Sequence, residues 1–196
     1  CLGLEAQRGL REAREAVLRS RLAPHFLFNA LNTLHAQIET APREAQGNLE
    51  RLARLFRQVL ERSERPTVPL GEELAFVEDY LGLEQARLGE RLRVRVDVPE
   101  ELLEAPVPAL ALQILVENAV KHGVAPREAG GEVRIWAQAE GRRLTVAVED
   151  PGNGIGAEPG TGTALANLRE RLRRPGDLRL ERITGGHRAS FSVALR

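Results

Sequence analysis

Four stretches of this chain carry side chains whose types and spacing suit chemistry. Pro24-His25-Phe26-Leu27-Phe28-Asn29 sets a histidine between a proline and two phenylalanines. An imidazole with an ordinary pKa of about 6.5 is largely neutral near physiological pH, and its unprotonated nitrogen is a nucleophile suited to in-line attack on phosphorus. Asn29 follows one helical turn later on the same face, within reach to orient the ring or an incoming phosphate. In Glu117-Asn118-Ala119-Val120-Lys121-His122-Gly123 the Asn118 amide oxygen is a hard ligand suited to Mg²⁺, and Lys121 offers a mobile point charge for a phosphate. Lys121 is the one lysine in a chain with 28 Lys and Arg residues, so a strong bias towards arginine stopped at this position. Asp150-Pro151-Gly152-Asn153-Gly154 places a carboxylate beside glycines that let the backbone turn and approach a ligand closely. Gly160-Thr161-Gly162 then opens a helix, where free backbone N–H groups and the positive dipole end favour an anion.

Positioning these groups requires two kinds of architecture. Around His25, heptad lines run through Leu10, Val17, Pro24, Leu31 and Ile38, and through Ala13, Ser20, Leu27 and Leu34, which predicts a helix with a coiled-coil-like seam interrupted at Pro24. His25 falls beside that seam, so its imidazole is expected to face solvent, and Pro24 removes a backbone hydrogen bond at the reactive turn. Phe26 and Phe28 are read as bundle core. Thr40-Ala41-Pro42 predicts a stop and a capped new start, with Leu49, Leu52, Phe56 and Val59 forming the stripe of a second helix. Two such helices leave apolar stripes uncovered, which predicts a homodimer paired as a four-helix bundle.

Beyond the proline-punctuated Arg65–Pro69 the pattern changes. A helix is expected over 70–88 with Leu74, Val77, Leu81 and Leu88 inward, then a half-buried strand alternating through Leu92, Val94, Val96 and Val98. A second helix is expected over 107–122, and a hairpin turning at Glu140-Gly141 joins Val133–Ile135 to Leu144–Val148. A helix over 163–173 and a closing hairpin at Gly185-Gly186 complete an α+β two-layer sandwich. The expected domains are therefore a hairpin over 1–66 and a sandwich over 67–196.

Composition restricts the partners. The 196 residues are 42% apolar and 29% charged, with 28 acidic residues balancing the 28 basic ones, so the chain has no basic field for nucleic acid or an anionic membrane. A single cysteine, Cys1, rules out an internal disulfide framework or a cysteine-based zinc cluster and fits a reducing compartment. No apolar run approaches the roughly 18 residues of a membrane span. The lack of methionine predicts a fragment of a longer protein, with a sensor or membrane region upstream.

The run from Pro24 to Asn29, continued by Ala30-Leu31-Asn32, resembles the phosphoacceptor box of the LytS-type sensor histidine kinases, whose cytoplasmic portion joins a histidine-bearing helical hairpin to a GHKL (Bergerat) ATP-binding domain. Leu112 to Gly123 resembles the N-box of that family, and Asp150 to Gly154 its D-x-G-x-G box, in which a carboxylate at a strand end accepts a hydrogen bond from the adenine amino group. Gly160 to Leu172 resembles the second glycine box and the helix after it, facing the triphosphate. The resemblance implies ATP and Mg²⁺ as cofactors. His25 and Asn29 become the catalytic residues, Asn118, Lys121, His122, Asp150, Gly152, Gly154, Gly160 and Gly162 the nucleotide-binding residues, and Asn118 the metal ligand. A receiver domain of a response regulator is the implied partner, and the cytoplasm the implied location.

Two positions depart from the pattern. Ala164 stands where the family usually has glycine, and Phe26 stands where many histidine kinases carry an acid that serves as base, so the general base is left unassigned. These departures keep two other readings open: a pseudokinase acting as a dimeric scaffold, and a GHKL ATPase or serine kinase that does not use His25.

Overall fold

The computed structural model describes residues 24–62, 65–152, 162–172 and 177–195. Its contacts divide the chain into two compact units, 1–64 and 65–196. Arg65 and Pro66 are tied into the second unit: Arg65 pairs with Glu72 at 2.9 Å, and the Pro66 carbonyl accepts from Ala109 N.

The first unit is a helical hairpin of α1 (Pro24–Thr40) and α2 (Pro42–Arg62). Ala41 alone joins them, donating to Gln37 O while its own carbonyl accepts from Ala45 N, and Pro42 begins α2 without an N–H that would need a partner. The expected Thr40 cap is not formed. Its hydroxyl turns back to the Ala36 carbonyl inside α1, a bond open to any threonine in a last helical turn. Phe26, Leu27, Ala30 and Leu34 are buried on α1 and Ala45, Leu52 and Leu55 on α2. Each large aliphatic side chain removed from water contributes about 2 kcal/mol. The polar member of this seam, Asn48, donates to Gln37 Oε1 at 2.9 Å across the hairpin and accepts from Arg51. Phe28, Leu31, Ile38 and Leu49 are exposed, so the expected α2 stripe divides, with Leu52 inward and Leu49 outward. Leu10 and Val17 lie outside the described residues, as does the Val59 side chain.

In the second unit, β1 (Thr67–Pro69) pairs antiparallel with β3 (Pro106–Pro108), and between them lie α3 (Leu70–Leu88) and β2 (Leu92–Asp97). Then come α4 (Ala111–Asn118), β4 (Gly131–Glu140), β5 (Arg143–Asp150), α5 (Gly162–Arg171), β6 (Leu178–Ile183) and β7 (Gly186–Ala194). The main sheet has the order β2-β4-β5-β7-β6, parallel between β2 and β4 and antiparallel elsewhere. Its inner face buries Val133, Ile135, Leu144, Val146, Val148 and Phe191 with Phe76, Val77 and Leu81 of α3 and Leu112, Leu115 and Val116 of α4. Paired charges occupy the other face, where Glu149 accepts from Trp136 Nε1 and Arg188 Nε while Arg134 donates to Asp97 at 2.7 Å. Among the described residues no helix is long and apolar enough to cross a membrane.

The expected α3 and both hairpins are present, but two expectations change. The alternation in β2 is shallow: Leu92 is buried, Val94 half-buried and Val96 exposed, because β2 is an edge strand. The helix expected from 107 starts at Ala111 instead, since Val107 is held in β3 opposite Val68 and Leu110 takes a left-handed conformation with φ 63°. That turn is fastened by Glu73, fully buried on α3, whose carboxylate accepts Leu110 N at 2.8 Å and Leu112 N at 3.1 Å. A buried carboxylate thus satisfies two backbone donors at the start of α4 and complements its dipole.

Candidate nucleotide site

Asp150 ends β5 on the strand that runs through the centre of the sheet. Its Oδ1 accepts the backbone N–H of Gly152 at 2.8 Å, closing a tight bend at Pro151-Gly152. Burial pushes its carboxyl above the usual aspartate range, against the opposing pull of the Gly152 N–H and His187. The surrounding backbone is unusually close. A Cβ on Gly123 would collide with the Asp150 carboxylate, and one on Gly152 would sit 2.7 Å from both Asp150 Oδ1 and the Gly123 Cα. Glycine at both positions lets the segment after α4 lie directly against the carboxylate.

That segment leaves α-helical geometry at Ala119 and continues to Val124 with a wider turn, in which Ala125 N donates to Val120 O five residues back. Such single wide turns are often found at functional sites. Here it carries His122 to the Asp150 side. The resulting cleft is lined by Asn118, His122, Asp150 and His187, with Leu115, Ala119 and Ala189 as its apolar wall. Asn118 donates from Nδ2 to the Ile114 carbonyl at 2.8 Å, which points its amide nitrogen along the helix and leaves the oxygen for an incoming ligand.

Three residues expected at one site, Asn118, His122 and Asp150, therefore share the cleft. Lys121 is exposed and is not in the cleft lining. It acts on Glu117 one turn earlier, whose carboxyl is raised by burial against the pull of Lys121, with Glu84 raising it further. Glu117 thus faces α3, where burial and the carboxylates of Glu84 and Glu117 raise the Tyr80 hydroxyl well above its ordinary range and Arg87, paired with Glu84, opposes them. Gly152 forms the bend, Gly162 opens α5 and Ala164 is exposed on that helix. Gly154 and Gly160 lie outside the described residues. In the hairpin, His25 is on the first turn of α1 with its side chain outside the described residues, and half-buried Asn29 accepts the Thr33 hydroxyl at its carbonyl.

Sequence reasoning missed His187 and Glu73. His187 is the second residue after the Gly185 turn and pairs with Asp150 in the β5–β7 ladder. No local pattern marks it, because its place beside Asp150 is set by the register of β7 on β5. Glu73 has no such mark either, because an acidic residue in the first turn of a helix is ordinary.

Two family models match consecutive segments: histidine kinase over residues 13–92, and the histidine kinase-, DNA gyrase B- and HSP90-like ATPase over residues 106–196. Among curated proteins the chain is 38% identical over 176 residues to sensor protein LytS of Enterococcus faecalis, covering 83% of this chain and 30% of that protein. It is 35% identical over 172 residues to sensor histidine kinase YpdA of Escherichia coli, with 83% and 30% covered. The chain thus spans about 30% of the length of these relatives. Among solved structures, the mycobacterial sensor histidine kinase MprB aligns with a TM-score of 0.51 at 17% identity, over 66% of this chain and 97% of that one. The catalytic domain of histidine kinase ThkA aligns with the same TM-score of 0.51 at 17% identity, over 65% and 97%. With a histidine kinase segment running into an ATPase segment, and a glycine-cradled aspartate at the end of a central strand in the second of them, the chain belongs to the LytS-type sensor histidine kinases.

Proposed function

We propose that this chain is the catalytic portion of a cytoplasmic sensor histidine kinase, which transfers the γ-phosphoryl group of ATP to His25 and from there to an aspartate of a response regulator receiver domain. One observation carries the reading: a chain with a histidine in the full Pro24–Asn29 box also holds Asp150, buried at a strand end and pressed by Gly123 and Gly152 into a cleft with Asn118. The residues suit ATP. A carboxylate walled by Leu115, Ala119 and Ala189 matches an adenine, which is apolar on its faces and polar on its edge. Among the described residues no group of three or more His, Cys, Asp or Glu could hold a metal by itself. Mg²⁺ at Asn118 would therefore be held through the nucleotide phosphates and water as well, the usual arrangement for this ion, and it would supply neutralisation of phosphate charge.

In the proposed transfer an unprotonated nitrogen of His25 attacks the γ-phosphorus, an N–P bond forms, and the bond to the β,γ-bridging oxygen breaks. The electron pair leaves with ADP, and the proton on the attacking ring is lost to a base that Phe26, standing beside His25, cannot supply. Asn29 orients the ring or the phosphoryl group. Lys121 offers its charge to the phosphates, Gly152 and Gly154 let the backbone approach the base, and Gly160 and Gly162 bring backbone N–H groups to the triphosphate. The chain acts as a homodimer through its hairpin.

The test is phosphorylation from Mg²⁺-ATP. The expected product is one acid-labile, alkali-stable phosphoryl group per chain, absent in His25→Ala, with ATP affinity unchanged in that variant by calorimetry. Phosphorylation persisting in His25→Ala would overturn the assignment of the acceptor. ATP binding with no phosphorylation in the parent would favour the scaffold reading.

A further inference from the structure

We propose that His187 is a second nucleobase-recognition residue, which reads the ring nitrogen N1 of adenine beside the amino group read by Asp150. The inference rests on the ATP reading above and names what else in this cleft selects the base.

His187 stands directly across the β5–β7 ladder from Asp150. Its Nδ1 lies 4.0 Å from Asp150 Oδ2, and the side chains of both residues are 9% exposed. The separation is too long for a direct hydrogen bond. The two groups therefore stand side by side at the cleft as an acceptor and a possible donor, with Asp150 Oδ1 already engaged by Gly152 N. Among the described residues no hydrogen bond ties up the His187 ring. An imidazole at the cleft wall with no hydrogen bond inside the protein keeps a ring N–H for a ligand atom that can accept it.

The chemistry of the pair selects one base edge. Adenine presents an amino donor next to the N1 acceptor, whereas guanine presents the O6 acceptor next to the N1–H donor. A carboxylate beside an imidazole N–H complements the first pattern and opposes the second. Either tautomer of neutral His187 has one N–H, and the protonated ring has two, so the donor is available in each state. A site built to hydrogen-bond a ligand atom discriminates strongly against an analogue lacking it, because its own polar group is then left unpaired.

Two analogues separate His187 from the reading on which it rests. Calorimetry with the full chain would compare ATP, 1-deaza-ATP, in which N1 is replaced by C–H, and purine riboside triphosphate, which lacks the amino group. The expected result for the parent is that both analogues bind more weakly than ATP, each by about threefold to tenfold. In His187→Ala the difference between ATP and 1-deaza-ATP should vanish while the difference between ATP and purine riboside triphosphate remains. His187→Gln, which keeps a donor, should restore part of the first difference. Equal binding of ATP and 1-deaza-ATP by the unmodified chain would overturn the proposal without any variant, as would an unchanged ratio in His187→Ala. If the parent bound no ATP at all, the nucleotide reading itself would fall. Loss for purine riboside triphosphate alone would uphold Asp150 and exclude His187.

Discussion

Asp150 is asked to be buried and charged at once, and the cost of that combination fixes how the residue should respond to pH. Burial raises its carboxyl above the ordinary value of 3.8, while the Gly152 N–H and His187 only partly offset the loss of water. For a group whose folded pKa is raised, the protonated form carries the stability. The contribution is complete below the unfolded pKa of about 3.8 and is lost as pH rises through the higher folded value. Near neutrality the carboxylate is thus a liability to the fold, retained for an acceptor that a ligand can use. Asp150→Asn keeps the shape and leaves an amide oxygen for Gly152 N. Its thermal midpoint at pH 7 should equal or exceed that of the parent, with the gap closing as pH falls towards 4. A variant less stable than the parent at neutral pH but as stable as the parent in acid would show that the carboxylate charge supports the fold. Such trade-offs between stability and binding are expected where a site is built for a ligand.

At the scale of elements, the site depends on where α4 begins, and that start is set from outside α4. Glu73, buried on α3, accepts two backbone N–H groups at Leu110 and Leu112. Glu73→Gln keeps the volume but can accept with only one side-chain oxygen, so one buried donor is left unpaired. The expected cost is about 1–3 kcal/mol in urea unfolding of the second unit, with weaker ATP binding because Asn118 ends that helix and the wide turn carrying His122 continues from it. A loss under about 0.5 kcal/mol, the usual range for surface changes, would mean that Glu73 does not set the helix start. This element also marks the limit of what the sequence made legible. Local rules found what is locally determined: the span of α3, bounded by Pro69 and Gly89, the turns after Glu140 and Ile183, and the break at Ala41. They misplaced the start of α4 because Val107 pairs with Val68 and Leu110 answers to a side chain 37 residues away. The same reason hid His187. Its place beside Asp150 is a matter of register between β5 and β7, whereas Asp150, Asn118 and His122 sat in recognisable runs.

For the whole molecule, the two units present different surfaces. In the second unit the open face of the sheet is closed off by charge, with Arg95 and Arg134 on Asp97 and Arg188 on Glu149, and Trp136 lies under the Arg188 guanidinium. Ion pairs of this exposure contribute little individually but keep other sheets away. The hairpin does the opposite. Phe28, Leu31 and Ile38 on α1 are 68%, 53% and 60% exposed, and Leu49 on α2 is 56% exposed. Phe28, Leu31 and Ile38 form a second apolar stripe on α1, set off from the stripe that α1 and α2 bury between themselves, and Leu49 adds an exposed apolar side chain on α2. A two-helix unit has only one internal seam, so a stripe on its outer side needs a further helix pair, and a second copy of the hairpin supplies one with matching spacing. Leu31→Glu puts a charge in the middle of the stripe without touching Leu27, Ala30 or Leu34, so the hairpin seam is spared. The expected outcome is a dimeric parent and a monomeric variant by sedimentation, with ATP affinity unchanged because the cleft lies within the other unit. A parent that sediments as a monomer at tens of micromolar, roughly where a weak association would show, would end the four-helix model. A Leu31→Glu chain that remained dimeric would move the contact away from this stripe. If the variant is monomeric and its phosphorylation of His25 becomes dependent on chain concentration, transfer runs between two copies; an unchanged rate per chain would confine it to one.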